Sequence, residues 1–356
     1  MADLVLLEPG TSVFSGGEIR VAILPVGDVP RHAMDAYMGC INQSRHIPLS
    51  SMRAHYRESA QKTPFGNLDW EKGFMHFRFL HLDEARKKSR TSDLHRQRQV
   101  VAVLGVVHCP WTPSLQGAHT EFSKMCSLLF PEAPIQRCLL ANPTKDHLHQ
   151  SRERSYESMI VFQPGGGLRH LEHEFSFWLH DLAAQILAEL EHWVLNASPL
   201  GMPMGPACYA DSPEFTCSSP AMEDVARRFT LDEDEAHEKK RWGRLMKTKG
   251  DLCLMAGSCQ DAFDHYRTCS DLARVSNDLV WYGGAVEGMA TARVLQALAG
   301  AASCPFLPQH GQPGQMESWM VEPSSAGMSA FAHPAMAQAL HAAGVEGEVR
   351  NLLLDA

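Results

Sequence analysis

His170, His173, Glu174 and His180 lie close together in one strongly periodic segment. Imidazole nitrogens and a carboxylate on one helical face are donors that a zinc ion accepts. The intervals do not fit. In HExxH the second imidazole sits one turn after the first, and here Phe177 stands in its place. The inverted form, HxxEH, fails by one residue in His170-Leu171-Glu172-His173. The expected reading is histidines satisfied by solvent or by neighbours, with no metal ligand among them.

Pro164-Gly165-Gly166-Gly167 immediately precedes that segment. Backbone N–H groups at a helix start can cradle an anion. A nucleotide site, however, asks for GxxxxGK[ST], or for GxGxxG after a strand, and the chain has neither. A GxSxG elbow, a kinase or deaminase signature, and a Cys–His pair that stands apart from its alternatives are likewise missing. No catalytic residue and no cofactor is therefore expected. The glycines read as a strand-to-helix connection.

Arg86, Lys87, Lys88, Arg90, Arg96 and Arg98 form a basic run, against Asp83, Glu84 and Asp93. Such a run could meet anionic lipid headgroups or an acidic partner, although the plainer expectation for residues 83–98 is a mobile, solvated loop. Aromatics do not interleave with it, so single-stranded nucleic acid is not indicated. The whole chain carries 41 acids against 32 bases, a net charge of −9, which argues against a phosphate backbone as the main partner.

The 356 residues leave room for two domains, and 44% hydrophobic with 21% charged residues suits chains that bury cores. The start has no basic-then-apolar leader pattern and no run is long and apolar enough to span a bilayer. The 10 cysteines have no CxxC pair or regular spacing, as expected of reduced thiols in the cytosol.

The elements that must position these residues are readable in the first half. Ile19–Val26, Gly73–His81, Val100–Val107, Ile135–Leu140 and Ser158–Phe162 read as strands, and Val100–Val107, apolar on both sides, as a central one. Arg31–Ile41, Pro113–Phe130 and Leu168–Leu195 read as helices. In the last, Leu171, Phe175, Trp178, Leu179, Leu182, Ile186, Leu190 and Trp193 form a stripe. Residues 57–72, with Pro64, Gly66 and Asn67, read as a loop. Interleaved strands and helices predict an α/β layer domain over residues 1–196.

Residues 197–221, rich in Pro, Gly and Ser, read as a linker. Residues 222–299 read as helix only, with Asp232–Glu235 ahead of Lys239–Arg241 as the helix dipole favours. The tetratricopeptide pattern of about 34 residues fits in part: Met246, Lys249, Gly250 and Cys253 occupy the first set, Ala262 and Tyr266 the second, and Trp281 reopens it. Gly250, Ala262, Tyr266 and Trp281 match best. The expectation is a TPR-like, partial α-solenoid, with an ordinary helical hairpin as the alternative. Residues 300–356 read as a low-complexity tail that supplies no further unit, so the chain looks cut short.

Three stretches together carry a family resemblance. Ile19–Pro30 is followed by Ile47-Pro48-Leu49, then by Lys62-Thr63-Pro64-Phe65, Trp70 and Met75–Phe79. Val103–Pro110 forms the second. In the third, Lys240–Arg244 leads to Lys247–Ser258, His265-Tyr266, Asp271–Arg274 and Trp281–Gly288. In order and spacing these resemble, over residues 17–299, the N-terminal part of the large TRAPP-II subunit, the NIBP family, and its plant and green-algal members most. The resemblance implies a scaffold subunit of the transport protein particle II complex, a vesicle tether and Rab exchange factor at the trans-Golgi network. Its implied partners are other TRAPP-II subunits and, through the complex, a Rab GTPase, with peripheral Golgi membrane association and a cytoplasmic location. The family's exchange chemistry belongs to small core subunits, so the resemblance transfers no catalytic residue. The rival readings are a small hydrolase or transferase with a deep polar pocket beside residues 105–112 or 163–168, and a helical-repeat adaptor outside traffic.

Overall fold

Ile19, Val21 and Ile23 alternate with Ala22, Leu24 and Val26 along one extended segment, and each set meets a different apolar layer. That segment is β1 (Glu18–Val26), in a computed structural model that describes residues 16–52, 63–86, 94–153, 159–161, 167–202, 233–300, 341 and 344–355. After it come α1 (Arg31–Gln43), β2 (His46–Pro48), α2 (Leu49–Met52), β3 (Phe74–His81), α3 (Leu82–Ala85), β4 (Val100–His108), α4 (Leu115–Leu129), β5 (Ile135–Ala141), α5 (Lys145–Glu153), β6 (Met159–Val161) and α6 (Gly167–Asn196).

The strands form one six-stranded sheet in the order β2-β3-β1-β4-β5-β6. β3, β1, β4, β5 and β6 run parallel, and β2 adds an antiparallel edge through His46–Pro48. β1 and β4 are central, which is why β4 is apolar on both sides. Phe122, Leu115 and Cys126 of α4 cover one face, while α1 and α6 cover the other with Met34, Tyr37, Phe175 and Leu179. The predicted α/β layers are therefore present. Gly105 sets the distance on the α4 side, because a Cβ there would lie 2.6 Å from the Phe122 ring and 2.9 Å from a Val26 methyl.

The helical part consists of α7 (Glu233–Met255), α8 (Cys259–Val275), α9 (Leu279–Gly300) and α10 (Glu346–Asp355). Acids precede bases at the start of α7 as expected, and Lys239 pairs with Glu235 at 2.7 Å. α7 packs on α8, α8 on α9, and α7 also on α6. One buried cluster runs from β1, β3 and α6 into Leu252–Ala256, Tyr266, Val286 and Met289, so sheet and helices share a core.

Two stretches differ from the sequence reading. The tail expected over residues 300–356 contains α10, which packs on α9; Val345, Val349 and Leu352 lie at helical spacing, but the flanking glycines hide the period. The segment 83–98, expected to be a mobile basic loop, is turned inward where it is described at its C-terminal end: Leu94, His95 and Gln97 are buried. Residues 87–93, and with them Lys87, Lys88 and Arg90, lie outside the described residues.

Candidate functional site

The sheet determines where a ligand would bind if the α/β half held one. Among its five parallel strands the order reverses between β1 and β4, and the crevice outside their carboxyl ends is where such sheets receive ligands. Here the crevice is filled from within. Tyr37 of α1 is buried, and its hydroxyl lies 2.8 Å from His108 Nδ1 at the end of β4. Asn142, with φ of 53° beyond β5, donates its amide to the same hydroxyl at 3.2 Å. With the Tyr37 hydroxyl donating to Nδ1, His108 is the neutral Nε2–H tautomer. Burial, then the charge of His32, lowers the His108 pKa accordingly. Burial, then Cys109, raises that of Tyr37.

His147 ties the neighbouring rim together by bonding the Thr112 carbonyl at 2.7 Å and the Thr144 hydroxyl at 2.8 Å. Trp111 stands out from this rim, 58% exposed. Residues 163–166, where the rival reading also expects a pocket, lie outside the described residues. A small cavity of ≈ 20 Å³ lies elsewhere, against Phe74, His76, Leu254, Cys259 and Leu295, with room for about one water.

Among the described residues no three His, Cys, Asp or Glu side chains are grouped as metal ligands would be. Glu174 and His180 are half-buried on α6, whereas the side chains of His170 and His173 lie outside the described residues, as do Pro164, Gly165 and Gly166. Gly167 is the first residue of α6. Arg96 and Arg98 are half-buried: the Arg96 guanidinium lies 5.1 Å over the Trp193 ring, and the Arg98 carbonyl accepts a bond from Arg20. Burial pushes the thiols of Cys109 and Cys259 up to about 12 and that of Cys126 up to about 11.

The densest polar arrangement lies where the segment 94–98 meets α7. Lys247 donates to both oxygens of Asp251, at 2.8 and 2.9 Å, one turn apart on α7, and both side chains are 1% exposed. Asp251 also accepts the Tyr266 hydroxyl at 2.8 Å and the Arg96 backbone N–H at 2.9 Å. Four hydrogen bonds thus converge on one buried carboxylate. His95 Nδ1 lies 3.3 Å from the Lys247 ammonium, so it accepts and the ring is neutral. Glu287 at 3.9 Å would favour the imidazolium, but burial and Lys247 outweigh it and lower the His95 pKa. Tyr266 is raised well above the ordinary phenol value, by burial first and then by Asp251.

The Tyr266 ring in turn requires glycine on both neighbouring helices. A Cβ at Gly250 of α7 or at Gly288 of α9 would lie 2.6 Å from it. Gly250 and Tyr266 were expected to meet from the partial repeat pattern; Gly288 and the Lys247–Asp251 pair stand in no such pattern and fall in the sequence only within Lys247–Ser258 and Trp281–Gly288, two stretches that carry the family resemblance.

Two further ties hold the helices in place. Arg244 of α7 makes a two-pronged pair with Asp278 in the α8–α9 turn, at 2.8 and 3.2 Å, and lies over Trp281. Asp261 at the start of α8 accepts the Asn67 backbone N–H at 2.9 Å and its side-chain amide at 2.6 Å. Gly257, at φ +81°, passes so close to the Phe74 carbonyl that a Cβ would lie 2.7 Å away. The Arg244–Asp278 pair thus joins α7 to the α8–α9 turn, and the Asp261 and Gly257 contacts join the helices to the sheet half.

The family assignment follows from comparison with known proteins. The chain is 31% identical over 292 residues to the trafficking protein particle complex II-specific subunit 120 homolog of Arabidopsis thaliana, and 34% over 295 residues to that of Oryza sativa subsp. japonica. Each alignment covers 82% of this chain and 23% of the relative, so the chain spans about a quarter of their length. Against trafficking protein particle complex subunit 9 of Xenopus laevis it is 49% identical over 71 residues, 20% of this chain and 6% of that protein. The family model described as Trs120/TRAPPC9, N-terminal domain, matches residues 11–224 and 211–304. Matched from before β1 to the end of α9, the chain belongs to the Trs120/TRAPPC9 N-terminal domain family.

Proposed function

We propose that this chain acts as a non-catalytic scaffold subunit of the TRAPP-II vesicle-tethering and Rab-exchange complex. The observation that carries the reading is the family match across both the sheet and the helices. The names of its relatives, a complex II-specific subunit and a complex subunit, support other TRAPP subunits as partners; within this proposal a Rab GTPase is met through the assembled complex. The chain works in the cytoplasm, peripherally at the Golgi and trans-Golgi network. No described helix is long and apolar enough to cross a membrane, which fits attachment through partners.

Within this reading residues 1–196 are an α/β domain, 197–221 a linker, 222–299 a TPR-like helical array and 300–356 a tail, of which α10 packs on α9. Support for the repeat reading comes from Tyr266, an aromatic of α8 that fills the space left by Gly250 of α7 and Gly288 of α9. The filled crevice at Tyr37 and His108 favours a scaffold over a hydrolase or transferase.

Affinity purification of the tagged chain from its own cells, followed by mass spectrometry, tests the proposal. TRAPP core subunits are expected in stoichiometric yield. Their absence, under conditions in which a tagged core subunit recovers the rest of the complex, would refute it.

A further inference from the structure

Three Ser-Pro or Thr-Pro pairs fall among the described residues: Thr63-Pro64, Thr112-Pro113 and Ser198-Pro199. A proline-directed kinase takes such a pair from an accessible, extended stretch, where the hydroxyl can reach the γ-phosphate of ATP. Two of the three are poorly placed for that. The Thr112 side chain is half-buried, and its hydroxyl donates to the His108 carbonyl at 3.0 Å. Thr63 is exposed, but Phe65, two residues on, is buried and fastens the chain to the core.

Ser198 differs on each count. It is exposed, in extended backbone with φ of −122° and ψ of 143°. Leu195, Asn196, Leu200 and Gly201 are exposed on its two sides, Leu200 to 83%. Its hydroxyl oxygen accepts one long bond, from the Leu200 N–H at 3.4 Å. The turn that follows, Pro199–Gly201, is held by two backbone bonds of 3.1 and 3.2 Å and buries none of its own residues. Opening such a turn exposes little apolar surface, so a kinase cleft can draw it out.

The effect of a phosphate follows from the position. Ser198 lies two residues beyond α6, whose last carbonyls form the negative end of a 30-residue helix. The last turn of α6 holds no basic residue to receive an anion. The turn after Ser198 packs on α7, where Met202 accepts the Thr248 hydroxyl at 3.7 Å. Ser198 is thus placed where the last helix of the sheet half hands over to the helical part.

We propose that Ser198 is a phosphorylation site for a proline-directed kinase, and that its phosphate loosens the junction between α6 and α7. The step forms a bond from Ser198 Oγ to the γ-phosphorus of ATP and breaks the bond from that phosphorus to ADP. The hydroxyl proton passes to the base of the kinase. Up to about two negative charges beside the negative helix end fray the last turn of α6 and the turn packed on α7. The proposal stands on Ser198 and its surroundings, and holds whichever complex the chain joins.

The test incubates the full chain with a proline-directed kinase and Mg-ATP, beside a synthetic peptide of residues 192–204 as the accessible reference. Peptide mass mapping is expected to find phosphate on Ser198 at a rate comparable to the reference, and none there in Ser198→Ala. Modification of the full chain at less than about a tenth of the peptide rate, or of neither, would overturn the proposal. Hydrogen exchange of the phosphorylated chain then reads the junction. Amides within 193–202 should exchange roughly two- to fivefold faster than before phosphorylation, the size of a like charge at a helix end. About 0.5 M salt should shrink the difference, as screening requires. Unchanged exchange would remove the loosening, and so would slower exchange, in which Arg96 over Trp193 captures the phosphate.

Discussion

The Lys247 ammonium lies 2.8 and 2.9 Å from the two carboxylate oxygens of Asp251, inside the wall between sheet and helices. Each charge is acceptable there only because the other is present, and Tyr266 and the Arg96 N–H complete the carboxylate's shell. Removing one partner leaves a buried charge uncompensated. Asp251→Ala should therefore cost about 3–5 kcal/mol, against about half that or less for Arg244→Lys, which keeps a cation beside Asp278. Urea unfolding followed by tryptophan fluorescence measures both. Equal midpoints for Asp251→Ala and the unaltered chain would show that the pair is not closed off.

How far the fold was legible depends on where the information lies. Val100–Val107 and the stripe from Phe175 to Trp193 carry their environment in their own composition, so the central strand and the long helix could be read directly. His95 and Gln97 could not, because what makes them interior residues is Lys247, about 150 positions away. A polar residue looks solvated in sequence until its partner is known. Tyr266 shows the intermediate case: the partial repeat pattern put it beside Gly250, yet Gly288, equally close to the ring, stood in the family-bearing stretch Trp281–Gly288 with nothing to pair it with Tyr266. Val349 was lost because glycines at 344 and 347 disguise a short helix as low-complexity chain.

Asp261 is the main described tie between the loop after Thr63 and the helices, through two bonds to Asn67. These bonds are solvent-exposed, so Asp261→Ala should lower global stability by only about 1 kcal/mol. Its local effect should be larger. Limited proteolysis is expected to cut faster within residues 63–72, with the rate at other sites unchanged. Uniform acceleration across the chain would assign Asp261 to the core instead.

His46 and His76 face each other across β2 and β3 with their Nδ1 atoms 2.8 Å apart. One ring must donate and the other accept, so the contact is lost when both rings are protonated. Burial lowers His76 to about 4, and burial followed by its neighbour lowers His46 to about 3. Both folded values lie below the unfolded one near 6.5, so the unfolded chain takes up protons first. Stability is full above about pH 6.5 and falls as pH drops towards 4, with a slope of at most about 2.7 kcal/mol per pH unit from the two together. Replacing both by Asn should flatten the urea midpoint between pH 6.5 and 4.5. An unchanged slope would place the titrating groups elsewhere, with His95 the next candidate.

Tyr266 supplies the sharpest test of the helix packing. The ring occupies space that Cβ atoms at both Gly250 and Gly288 would enter, each at 2.6 Å. It cannot retreat easily, because its hydroxyl is held by Asp251 at 2.8 Å. Gly288→Ala should thus destabilise by about 1–3 kcal/mol through overpacking, even though alanine is the better helix former. Combining it with Tyr266→Leu should recover part of that loss: the single changes would cost more than their combination, with a coupling of about 1 kcal/mol or more, as residues sharing one space do. Thermal or urea unfolding of the four proteins in this cycle reads the coupling. Strict additivity would mean that glycine is required at 288 by α9 alone, and that the aromatic does not set the spacing between the helices.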